Sequence, residues 1–132
     1  MPEKAQPLKR GRLRLLHGHQ IGRHLPKHHA AKVADKWGAP GLTEAFGHSH
    51  RPGMHVRGSV EGSCRAVAVG AGRTLDPDWT QGRPAAWETE LRVAYVLPWG
   101  HVAAYSAPLI DGAFVWAGRV YRCPPTLRGH AL

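Results

Sequence analysis

Twice near its start this chain runs from a short apolar segment straight into a glycine-flanked pair of histidines. The first stretch is Leu15-Leu16-His17-Gly18-His19 and the second is Ala45-Phe46-Gly47-His48-Ser49-His50. Gly11–Leu16 (GRLRLL) alternates Arg with Leu, the pattern of a strand with Leu13 and Leu15 on one face. Leu42–Phe46 reads as a second short strand. Between them the spacing predicts one helix, from about His24 to Trp37. Leu25, His29, Val33 and Trp37 share a face, with Ala30 and Ala34 beside them. Pro26 suits a first helical turn, and Gly38 suits the C-terminal cap, with Pro40 beyond it. Strand, histidine loop, helix, strand, histidine loop is an α/β layout. Such proteins build sites from polar residues just past their strand ends.

From His55 onward the texture becomes β. His55–Val60 and Cys64–Val69 read as strands joined at Glu61-Gly62. Residues 70–90 carry the turn signals GAGR, DPD and QGRP and read as a long loop. Leu91–Leu97 alternates, Pro98-Trp99-Gly100 turns the chain, and His101–Tyr105 returns. Asp111-Gly112 is a hairpin turn leading into a strand over Ala113–Tyr121. The fold class expected is α/β with a mostly antiparallel C-terminal part. The domain division is a basic leader over residues 1–10, a folded domain over 11–122 and a Pro-rich tail over 123–132.

Charge narrows the range of partners. The net charge is +9, and the excess is local: residues 1–37 contain all five Lys, four Arg and only Glu3 and Asp35 as acids. A basic leading segment favours phosphate-bearing partners over acidic surfaces of its own kind. Two cysteines, Cys64 and Cys123, are too few for a disulfide framework or a cysteine-rich zinc site. No run of about 18 apolar residues exists to span a membrane. Residues 1–14 lack the apolar core of a secretory signal, so the expected setting is reducing and cytoplasmic.

The chain carries ten histidines, and half of them need no special account. His24, His28, His29, His101 and His130 have no ligand-like setting and read as surface or half-buried side chains. The H-G-H and G-H-S-H loops differ. A metal-binding imidazole must be neutral and held in one orientation. A tight loop at a strand end holds it, and an adjacent glycine lets the backbone come close.

Gly47-His48-Ser49-His50, followed by Arg51-Pro52, resembles the GHTH-type fifth motif of calcineurin-like metallophosphoesterases, with small bacterial and phage members nearest in flavour. Leu15-Leu16-His17-Gly18-His19 resembles the fourth motif of that family, and the intervening helix and strand fall in the same order. The resemblance covers roughly residues 11–122. It implies part of a metallophosphoesterase-type β-sandwich with a flanking helix, and hydrolysis of a phosphate mono- or diester by metal-activated water. It also implies divalent metal ions (Mn, Fe or Zn), two in a complete domain. His17 and His48 would ligate one ion and His50 its neighbour. His19 would lie near the reacting groups, and Arg51 would reach a phosphate.

The same family places three earlier motifs, of the types D-x-H, G-D-x-x-D and G-N-H-D/E, before the HGH. The sixteen residues ahead of His17 hold none of them, and the chain has no Asn. The expectation is a C-terminal half of such a domain, weakly active or inactive alone, with its acidic ligands supplied elsewhere, for instance by a second chain. Two other functions compete: a basic nucleic-acid-binding module, favoured by the charge and by Trp79, Trp87, Trp99 and Trp116, and a non-catalytic remnant.

Overall fold

Three parallel strands form the centre of the molecule. In the computed structural model, which describes residues 8–19, 28–72 and 87–122, β1 (Leu8–Arg10) and β2 (Leu13–Leu16) form an antiparallel hairpin. Helix α1 (His29–Trp37) follows, then β3 (Thr43–Phe46), β4 (Gly53–Ser59) and β5 (Gly62–Ala68). These strands make one sheet in the order β1-β2-β3-β5-β4, with β2, β3 and β5 parallel and the two edge strands antiparallel.

The chain is therefore α/β, with one helix among the described residues. Residues 8–10, read from sequence as the end of a loose leader, instead form β1. Gly11, at φ +55, closes the turn, and Leu8 lands opposite Leu15. Residues 1–7 and the first part of the expected helix, 24–27, lie outside the described residues.

Register decides which side chains meet α1. Leu16, Phe46 and Ala68 align across β2, β3 and β5, as do Arg14, Glu44 and Ala66. Phe46, Cys64, Ala66 and Ala68 pack with Val33 and Ala34 of the helix, flanked by Leu16, Ala30 and Trp37. Of the period-four stripe read from the sequence, Val33 is buried with Ala34 beside it, His29 and Trp37 are half-buried, and Leu25 lies outside the described residues. Gly38 does cap the helix, its N–H donating to Ala34 O at 3.0 Å. Its φ of −64° needs no glycine. What needs one is space, because a Cβ there would run into Ala34 O and Cys64 Sγ. The Arg57 guanidinium, reaching over from β4, donates to Gly38 O and Asp35 O. It thereby satisfies carbonyls that a helix C-terminus leaves without partners.

A buried ion pair lies beneath the same helix. Glu44 has no solvent exposure, and Arg14, its cross-strand neighbour, pairs with it while also donating to Trp37 O at 2.8 Å. A carboxylate this deep must be matched by a cation, since desolvating a lone charge costs several kcal/mol.

The rest of the described chain is antiparallel. β6 (Glu90–Val96) pairs with β7 (Val102–Pro108), and β8 (Ala113–Trp116) with β9 (Arg119–Arg122). The first hairpin is tied to the main sheet at both ends: Arg12 N–H donates to Gly100 O (3.0 Å), and the Arg92 guanidinium donates to Ala68 O (3.2 Å). Buried Glu90 sits at the second tie, accepting from Arg92 at 2.6 Å, from Gly70 N–H and from the Ser106 hydroxyl.

The single strand expected over 113–121 is instead the two strands β8 and β9. Ala117 and Gly118, at φ 47 and 74, form the tight turn between them. Both central residues of such a turn need positive φ, and the dipeptide Ala-Gly announces this less clearly than Asp-Gly. Asp111-Gly112, at φ 48 and 68, turns the chain as expected. Of the long loop, residues 73–86 lie outside the described residues, but Ala71 bridges Thr89 across its base. No helix among the described residues is long and apolar enough to cross a membrane.

Candidate functional site

The two histidine loops meet at one end of the parallel sheet. β2 and β3 run side by side in register, Leu16 opposite Phe46, so the residues that follow each strand emerge at the same rim. The loops approach so closely that only glycine fits. Gly18 has φ +101, and a Cβ on it would lie 2.8 Å from Gly47 O and 3.3 Å from His48 Cβ. Gly18 thus brings the imidazoles together by letting the two backbones touch.

His17 lies at the centre of the cluster. Its ring centroid is 5.0 Å from that of His48 and 5.2 Å from that of His19. Nδ1 of His17 and Nδ1 of His19 are 3.1 Å apart. With neutral rings, one nitrogen donates to the other. The same separation is close to the edge of about 3.3 Å between two nitrogens bound to one tetrahedral zinc at about 2.0–2.1 Å. The pair therefore suits either a hydrogen bond or a shared cation.

His48 and His50 both adopt left-handed backbone conformations, φ 69 and φ 55. Neither residue is glycine, and such a conformation costs on the order of 1–3 kcal/mol per residue unless the surroundings enforce it. Successive strained residues in a loop that carries imidazoles fix where those rings point. His50 turns toward Trp87 and meets it edge-on, 4.9 Å between ring centres, and its backbone carbonyl accepts from Glu88 N–H at 3.2 Å. Its Nδ1 is buried and has no hydrogen-bond partner.

The electrostatics follow from crowding cations-in-waiting. Partial burial of the ring, then the charges that His17, His19 and His50 would carry, hold His48 below the ordinary histidine range. A neutral His48 keeps a lone pair free, the state a metal or a proton donor requires.

The sequence expected His17, His48 and His50 as ligands and His19 as a neighbour. The structure gathers His17, His48 and His19 ring to ring and sets His50 against Trp87 beside them. Arg51 follows His50 and lines a cavity next to the rim. No group of three or more His, Cys, Asp or Glu among the described residues is placed to hold a metal ion. Two imidazoles of the rim are close enough to share one cation. No described carboxylate stands with them to neutralise a pair of cations. Sequence reasoning missed Trp87 as the partner that orients His50, because that contact spans the long loop and has no local signature.

Comparison with known proteins gives no match. No family model, no curated protein and no solved structure corresponds to this chain.

Proposed function

We propose that this chain carries part of a metal-dependent phosphoesterase centre, hydrolysing a phosphate mono- or diester, with its acidic ligands contributed from outside the histidine rim. The observation that carries the reading is the convergence of His17, His19 and His48 at the ends of adjacent parallel strands. The succession HGH, helix, strand, GHSH supports it, as does the resemblance of those motifs to calcineurin-like metallophosphoesterases. The metallophosphoesterase-type sandwich belongs to this proposal as well.

In this reading His17 and His48 hold a divalent ion (Mn, Fe or Zn), and His50 holds a second one once carboxylates complete the site. A bound ion supplies Lewis-acid polarisation of a phosphoryl oxygen and a bound water of lowered pKa. The chain's own residues do the positioning. Gly18 allows the loops to close, and the left-handed His48 and His50 aim the rings. His19 holds or passes a proton at Nδ1 beside His17. Arg51 attracts the phosphate. The buried, unpaired thiol of Cys64 suits a reducing, cytoplasmic setting.

Titration with Co²⁺ or Zn²⁺, followed by absorption or calorimetry, tests the reading. Binding of one ion per chain is expected, weakened at least tenfold by His17→Ala and by His48→Ala. Binding that ignores both substitutions would sink it. Aryl-phosphatase activity is expected only when acidic ligands are supplied to the rim, for instance by a second chain.

A second reading has its own support. Tyr95, Tyr105 and Trp116 form an edge-to-face ladder with centroids 6.0 Å apart, and the two tyrosines are about half exposed. Exposed aromatics on a chain of net charge +9 suit stacking of bases on a single strand. Salt-dependent retention on DNA-cellulose that persists in chelator would favour this reading.

A further inference from the structure

Beside the histidine rim lies a cavity of about 370 Å³ between the first turn of α1 and the start of β4. Its polar lining is the Arg51 guanidinium with the imidazoles of His28, His29 and His55, and no carboxylate is among the lining residues. Pro52 and Met54 supply part of its apolar wall. Ligand pockets commonly run from about 300 to 1,000 Å³, so this one suits a single small group rather than a whole large ligand.

Among the described residues, Arg51 makes no hydrogen bond or ion pair. Both ring nitrogens of His29 are shielded from solvent and unpartnered. A buried polar group without a partner costs about 1–3 kcal/mol, so a ligand that accepts from it recovers that loss. The local field has the matching sign. Burial is the first cause that pushes His29 below the ordinary histidine range, and the charges of Lys32, Arg51 and His48 push the same way. The fixed charges of Lys32 and Arg51 thus set a positive field at His29.

We infer that this cavity binds a second phosphate group of the substrate, so that the substrate class is one with two phosphates in succession. A nucleic-acid strand and a nucleoside polyphosphate share that chemistry. The inference deepens the proposed function and rests on it only for calling the ligand a substrate. Anion binding itself needs only Arg51, His28, His29 and His55.

Gly53 gives a clean test. It lines the cavity on the edge strand β4, and a Cβ added there meets nothing within 4 Å. Gly53→Glu adds a carboxylate at a residue that lines the cavity, where the backbone leaves room for a Cβ. The full chain is titrated calorimetrically with pyrophosphate and with a short 5′-phosphorylated oligonucleotide, both in the presence of EDTA. Binding of at least one probe is expected, weakened at least tenfold by Gly53→Glu and by Arg51→Gln and unchanged by Arg119→Gln on β9. Tighter binding of the oligonucleotide identifies a strand as the source of the phosphates; tighter binding of pyrophosphate identifies a nucleoside polyphosphate.

Absence of binding by both probes, or equal affinity in the parent and in Arg51→Gln, overturns the inference. Should Gly53→Glu fail to fold, as read by circular dichroism, Arg51→Gln decides alone. Because EDTA removes metal from the assay, failure of the histidine rim to bind Co²⁺ leaves this result untouched, and the converse also holds.

Discussion

A side chain on Gly18 would collide with the carbonyl oxygen of Gly47, 2.8 Å from the position of its Cβ. This contact joins the two histidine loops. Gly18→Ala is expected to cost about 1–3 kcal/mol, because Ala at φ +101 is strained and must also displace the second loop. Urea denaturation measures the stability loss. Because the displaced loop carries His48, Co²⁺ affinity should fall in the same variant even though no imidazole has been removed. Unchanged stability and unchanged affinity together would show that the loops do not touch.

The Arg14–Glu44 pair makes a prediction about the core. Arg14→Met leaves the fully buried Glu44 carboxylate without its cation and is expected to destabilise by about 3–5 kcal/mol. The double variant Arg14→Met, Glu44→Leu removes both charges and should recover most of that loss. A double-mutant cycle by chemical denaturation reads the coupling directly. Additive losses would mean that the two side chains do not depend on each other.

Acid should loosen the molecule through His29 and His48. Both are held below the unfolded value of 6.5, His29 and His48 alike first by burial and then by neighbouring positive charge. Between that value and the lower folded one, the unfolded chain binds more protons, so stability falls as pH falls. The contribution is intact above the unfolded pKa and is lost as pH drops through the folded pKa. Urea midpoints taken from about pH 8 to about pH 5 should decline on the acid side, and His29→Gln should flatten that limb. A midpoint that rises on acidification would reverse the sign.

The β8–β9 turn offers a stabilising change. Ala117 sits at φ 47, where an L side chain costs about 1–2 kcal/mol. Ala117→Gly removes that cost, partly offset by the greater freedom of glycine in the unfolded chain. A gain of several tenths of a kcal/mol up to about 1 kcal/mol is expected in thermal or urea unfolding. A loss would mean that the methyl group packs against something that outweighs the strain.

Elements with a strong local period were legible in the residues. The stripe Ala30, Val33, Ala34 and Trp37 gave α1 and its buried face. Alternation gave β6 and β7, Pro98-Trp99-Gly100 gave the turn between them, and Asp111-Gly112 gave the turn before β8. The strands preceding the two histidine loops ended where the apolar runs ended, at Leu16 and Phe46. Less legible were β1, whose residues Leu-Lys-Arg look like any solvated leader, and the Ala117-Gly118 turn inside an apolar run. The hairpin joining β4 to β5 turned at Val60-Glu61, one residue before the expected place.

The sequence by itself determined the helix and the strands with a clear local period, and it placed an imidazole pair immediately after each of two strands, because period and glycine spacing act within a few residues. Only the tertiary structure decided that β2 and β3 lie parallel and adjacent, which brings His17 to His48, and that Trp87 takes up His50. It also set Glu44 under the helix, where Arg14 must match it. Those relations depend on register and on chain closure between distant residues, and no local pattern encodes which strand becomes the neighbour of which.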